Sequence, residues 1–165
     1  MRRLLIALGA LLVLGVANVG IYQREQLLAT GRTVLLELAT VDPRSMMQGD
    51  YMALRFRVAD DAFGERPDDS WRDGRIVLEL DDAGVGTFRR FDDGSPFAAH
   101  EMAMRYRIRN NRPLFATNAF FFQEGHASYY ETARYGEFRV GPDGASLLVA
   151  MRGASLETLG LPDLL

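Results

Sequence analysis

The residues suited to chemistry are few. Asp42, Asp50 and Glu124 could converge as an acid/base set, with His126 two positions beyond Glu124. Glu124-x-His126 would place two potential metal ligands on one face of a strand, but a metal site needs at least a third. A Ser45 nucleophile would need a base. The chain has no lysine, and the spacing of its two histidines, His100 and His126, favours neither. The lack of lysine also removes Schiff-base chemistry. With no cysteine, disulfides, thiol nucleophiles and thiolate metal sites are excluded. Asp60-Asp61, Asp68-Asp69, Asp81-Asp82 and Asp92-Asp93 read as turn formers at strand ends. Asp69-x-Trp71-x-Asp73 fails as a calcium loop because Trp71 stands at a ligand position. The sharpest chemical option left is a pocket of Asp42, Asp50, Tyr51 and Glu124, with no cofactor implied.

The elements that would position these residues follow from hydrophobic patterning. Arg2 and Arg3 precede an uncharged run from Leu4 to Gln23, which at about 1.5 Å per helical residue spans about 30 Å, enough to cross a bilayer. The run continues past the small residues Gly15-Val16-Ala17, which favours an uncleaved anchor over a signal peptide. The two arginines would hold the N-terminus in the cytoplasm and the remainder outside. All 19 cations are arginines. With Arg2 and Arg3 set aside, 17 remain against 22 acids, a net of −5, and no basic cluster points to nucleic acid.

Beyond the anchor, the helix is expected to continue to about Ala29, with Gly31 as its cap. RTVLLEL reads as a first strand, and YMALRFRV as a second with Met52, Leu54, Phe56 and Val58 on one face. RIVLELDDAGVGTFRRF reads as a hairpin, EMAMRYRI as a strand, and EFRVGPDGASLLV as a hairpin turning at Gly-Pro-Asp-Gly. MALRFRV at 52–58 echoes MAMRYRI at 102–108, and both carry arginines on the face away from the apolar residues. If those strands were neighbours, Arg55, Arg57, Arg105 and Arg107 would form a basic surface for anionic headgroups or an acidic partner. The commoner fate of such arginines is pairing with surface carboxylates.

The stretch VDPRSMMQGDYMALRF resembles the signature of the bacterial GDYXXLXY proteins. Gly49, Asp50, Tyr51 and Leu54 match the motif, Phe56 stands where the last tyrosine would be, and Asp42, Pro43 and Arg44 fit the extended pattern. Downstream, Glu124 and Gly125 match the family's Glu-Gly step. Ser45-Met46 near Gly49-Asp50 is also weakly similar to serine-lysine signal peptidases and self-cleaving repressors, but without lysine that chemistry has no base. Membership in the GDYXXLXY family implies a membrane-anchored bacterial protein without an assigned activity, a companion of polytopic membrane proteins, and transfers no catalytic residue.

On physical grounds Gly49 would supply a backbone conformation that a side chain prevents. Asp50 would accept backbone N–H bonds or pair with Arg44, and Leu54 and Phe56 would fill the core. The expected architecture is mainly β: a transmembrane anchor over 1–23 and an antiparallel domain, a partly open barrel or a sandwich, over 24–165. It is expected at the bacterial inner membrane, with the domain periplasmic. The bilayer and a polytopic membrane protein are its expected partners, in an accessory or assembly role. A periplasmic enzyme or small-ligand binder is the alternative.

Overall fold

The computed structural model describes residues 2–39, 47–48, 51–64, 70–117 and 119–160. A helix, α1 (Arg2–Thr30), leads into a mainly β domain. Among the described residues, no helix is long and apolar enough to cross a membrane. The uncharged run begins at Leu4, and the side chains of Leu4, Leu5 and Ala7 lie outside the described set. The helix ends where Gly31 N–H donates to Leu27 O at 2.9 Å. A Cβ at Gly31 would lie 2.4 Å from that same carbonyl, so glycine is required there.

The domain is built on two four-stranded antiparallel sheets. The first has the order β1 (Arg32–Glu37), β9 (Tyr135–Val140), β10 (Ser146–Arg152), β11 (Thr158–Leu159). The second runs β5 (Gly86–Phe91), β4 (Gly74–Leu80), β6 (Glu101–Arg109), β7 (Arg112–Leu114). A parallel bridge between Leu35 and Val85 joins them, and Arg105 N–H donates to Gly144 O at 2.8 Å. They form half-barrel sheets over one core. Val34, Leu36, Phe138, Val140 and Met151 enter it from the first sheet, and Ile76, Leu78, Met104 and Tyr106 from the second. Alternation places these residues inward, as period-two patterning requires.

The turns have local causes. In the β9–β10 turn Asp143 Oδ1 accepts from Ala145 N–H at 3.0 Å, and Gly144 has φ +82°. A Cβ on Gly144 would also meet Arg105 at 3.3 Å, so glycine serves both the conformation and the close approach to β6. In the β4–β5 turn Asp81 Oδ1 accepts from Ala83 and Val85 N–H groups. At NNRPLF the chain reverses on Asn110 and Asn111, both at positive φ, and returns as β7, with Pro113 within that strand. Paired left-handed asparagines suit a two-residue hairpin loop.

One expected strand is corrected. YMALRFRV is extended only over β3 (Tyr51–Ala53), and Arg57–Phe63 forms a helix, α2, inside what reads as strand and polar loop. Phe56 bridges to Leu38, and Gly64 at φ +71° ends the helix. Val58, Ala59 and Phe63 have the spacing of one helix face, and all three are buried. Met52, Leu54, Phe56 and Val58 are buried as their alternation predicts, although the last belongs to a helix. Phe63 packs edge-on against Trp71, Phe91 and Tyr106 at 4.8–5.3 Å. The Tyr106 ring lies over Gly74, its cross-strand partner, and its hydroxyl ionises above the usual tyrosine range because burial, then the charge of Asp73, disfavours the phenolate.

Candidate functional site

A third, smaller sheet carries the GDY segment. Its order is β2 (Met47–Gln48), β3, β8 (Ala119–Phe121), with Gln48 opposite Tyr51. β3 pairs with β8 so that Tyr51 faces Phe121, Met52 faces Phe120 and Ala53 faces Ala119. Met52 is buried and Phe120 packs against the core, whereas the half-buried Tyr51 stacks obliquely on Phe121 at 5.7 Å, on the other face. Phe121 is 74% exposed. Leu54 and Phe56 enter the core, and Phe56 meets Phe138 edge-on at 5.3 Å.

β8 leads directly into the second sequence block. His126 N–H donates to Gln123 O at 3.0 Å, closing a turn with Gly125 at φ +82°. A turn of this kind needs positive φ at its third residue, which accounts for Gly125 without any catalytic role. Glu124, at the second position, is exposed. A 3-10 turn over Ala127–Tyr130 then returns Tyr130 to the sheet, where it contacts Phe120 at 5.0 Å and Phe122 at 5.4 Å. His126 lies edge-on to Tyr129.

Tyr51 is therefore brought beside the strand that carries the chain to Glu124 and Gly125. Asp42, Pro43, Arg44, Gly49 and Asp50 lie outside the described residues, as does the expected Asp50–Arg44 pair. Among the described residues, no group of three or more His, Asp or Glu side chains could hold a metal ion.

The model of the GDYXXLXY protein family matches residues 13–151. The chain belongs to that family. No curated protein and no solved structure matches it. In this GDYXXLXY protein the two blocks that carry the resemblance, distant in sequence, adjoin through the β3–β8 ladder.

The arginines of the two echoing segments lie on different elements. Arg55 pairs with Asp60 at 2.7 Å, Arg57 with Glu37 at 3.1 Å and Arg105 with Asp143 at 2.9 Å. Arg55 and Arg57 lie past the end of β3, before and at the start of α2, whereas Arg105 and Arg107 lie on β6, so these arginines do not form one strand-to-strand patch. Two grooves open beside them. One, of about 740 Å³, has Leu54 and Phe56 in its wall together with Arg55, Trp71, Arg109 and Arg112. The other, of about 970 Å³, lies between the last turns of α1 and the domain and includes Arg105 and Arg107. Sequence reasoning missed both. The Asn110-Asn111 pair was the available signal for the hairpin that walls the first.

Proposed function

We propose that this GDYXXLXY protein is a membrane-anchored accessory or assembly protein. In this reading α1 crosses the bacterial inner membrane and the β domain binds a polytopic partner on the periplasmic face. The observation that carries the reading is the exposure of α1. Ile6, Leu11, Val13, Leu14, Val16 and Ile21 are each 57–70% exposed and are spread around the helix. A helix apolar on every side needs an apolar surround, and among the described residues the domain meets α1 at its C-terminal end, where Leu27 approaches Gly141. The uncharged length from Leu4 to Gln23 suits a bilayer, and Arg2 and Arg3 set the orientation. On the domain, Phe121 and Tyr129 present exposed aromatic surface of the kind that anchors protein contacts. The test is affinity purification of the full-length protein in mild detergent. A stoichiometric polytopic protein is expected to co-purify, and recovery of a lone monomer under several gentle conditions would sink the proposal.

A second reading, a ligand pocket of Asp42, Asp50, Tyr51 and Glu124, is favoured by the β3–β8 pairing, which sets Tyr51 beside the strand leading to Glu124. It requires a small molecule that raises the melting temperature of the full-length protein and loses that effect in Asp50→Asn and Glu124→Gln. A ligand whose effect survives both substitutions removes this reading.

A further inference from the structure

We propose that the groove between the last turns of α1 and the β domain is a site for an anionic phospholipid headgroup, its phosphate held by Arg24 and Arg107 beside the Arg105–Asp143 pair. The proposal rests on the reading of α1 as a bilayer anchor. The groove, of about 970 Å³, is walled on one side by residues of α1 between Gly20 and Thr30, including Arg24, and on the other by Arg105 and Arg107 of β6 and by the β9–β10 turn.

Its charge is unbalanced. Asp143 is the one acid in the wall among the described residues, against three arginines. Asp143 is already engaged by Arg105, at 2.9 Å through its carboxylate and 3.0 Å through its carbonyl. Arg24 and Arg107 are exposed and have no carboxylate partner among the described residues. The chain beyond residue 20 has a net charge of −5, so two unpaired guanidinium groups facing one groove form a local exception. Guanidinium groups match the oxygens of a phosphate in pairs, through charge-assisted hydrogen bonds.

The depth of the groove fits a lipid better than a free anion. The exposed aliphatic run of α1 ends at Ile21, and Tyr22 comes next, a residue type that settles at the membrane–water interface. The headgroup layer is about 5–7 Å deep on each side of the hydrocarbon, about the rise of the groove wall from Tyr22 to Gln26, so Arg24 lies at headgroup level if α1 spans the membrane. Leu27, Leu114 and Leu147 add an apolar flank beside the arginines, which suits glycerol and the first methylenes and gives inorganic phosphate nothing.

The experiment uses the full-length protein. Flotation with phosphatidylcholine vesicles reads the anchor. Native mass spectrometry in detergent, titrated with phosphatidylglycerol or phosphatidylcholine, reads the headgroup site. Wild type is expected to float with neutral vesicles and to retain phosphatidylglycerol preferentially. Arg24→Gln and Arg107→Gln are each expected to lower that preference about fivefold, whereas Arg112→Gln, an exposed arginine elsewhere, leaves it unchanged. Flotation with no loss of preference in either Arg24→Gln or Arg107→Gln overturns the headgroup site alone. Equal loss in Arg112→Gln replaces it with diffuse attraction. Displacement of the lipid by millimolar inorganic phosphate makes it a free-anion site. Failure to float with neutral vesicles removes the anchor reading and the site with it.

Discussion

β9–β10 and β3–β8 are both antiparallel pairs, and they show two ways of using a strand. β9 and β10 are six and seven residues long, joined by a turn whose Asp143 bonds Ala145 N–H within it and Arg105 of β6 beyond it, and they bury Phe138, Val140 and Met151 almost completely. β3 and β8 are three residues each, place Met52 and Phe120 against the core, and leave Phe121 exposed on the other face. So short a pair cannot stand alone in water and is held by the core it leans on. Of the described motif residues, Leu54 and Phe56 join the core, whereas Tyr51 sits on the outer face of β3 beside exposed Phe121. The difference separates a scaffold from a surface that the scaffold carries.

Paired substitutions would break that comparison most sharply. Phe138→Ala removes a fully buried ring that packs edge-on against Phe56. It should lower stability by about 3–5 kcal/mol. Phe121→Ala should stay within about 0.5 kcal/mol, as exposed positions usually do, yet reduce recovery of the proposed membrane partner. Chemical denaturation of the full-length protein, followed by the fluorescence of its one tryptophan, Trp71, packed against Phe63, measures both. A large loss of stability in Phe121→Ala would show that the small sheet belongs to the scaffold.

A smaller effect is expected at the polar face of β9–β10. Glu137 is buried, and its Oε2 accepts from Arg152 Nε at 2.6 Å and lies 2.5 Å from Nη2. Arg152 also donates to Leu156 O at 2.9 Å, tying the chain after β10 to the sheet. Glu137→Ala strands a partly buried guanidinium and should cost about 3 kcal/mol. Replacing both members with leucine should recover most of that loss, because the pair's attraction is largely offset by its desolvation. If the double variant is as unstable as the single one, the pair specifies the local geometry rather than merely filling it.

Legibility in the sequence divided along the same line. The hairpins of the scaffold were readable because alternation and turn chemistry agree there, as in the Gly-Pro-Asp-Gly turn. The burial of Met52, Leu54, Phe56 and Val58 was readable too, but not the passage from strand to helix at Arg57. Over that stretch the apolar positions satisfy a period of two and then of 3.6, and MAMRYRI, which looks alike, stays extended through Arg109. The two segments diverge in their continuations: Asn110-Asn111 at positive φ turns one chain back, whereas Asp60-Asp61 fall within a helix. The pairing of β3 with β8 was not readable, because register between distant segments is fixed by the assembled core and leaves no local mark. Arg55 and Arg105 had legible chemistry but illegible addresses, since their partners, Asp60 and Asp143, depend on α2 and on the β9–β10 turn.

The smallest effect is electrostatic and lies in the scaffold, in the connection from β5 to β6. Glu101 Oε2 accepts from Ala98 N–H at 3.2 Å and from Arg90 at 3.3 Å, while Arg90 also reaches Asp93 at 2.9 Å. The Glu101 carboxyl is held below its ordinary ionisation range, first by the Ala98 N–H and, against some opposing burial, by Arg90 and His100. Asp93 is lowered in the same sense, chiefly by hydrogen bonds from Ser95. A depressed folded-state value means that the ionised form stabilises the fold. That contribution is complete above the ordinary carboxylate range, about pH 4, and is lost as pH falls through the lower folded value. Glu101→Gln should therefore melt slightly below wild type at neutral pH, and the two curves should converge in acid. Melting temperatures of both proteins, measured from neutral pH downward, check this. A gap that persists into strong acid would assign the Glu101 contribution to packing, and would place this connection with the hydrophobic scaffold rather than with its charged rim.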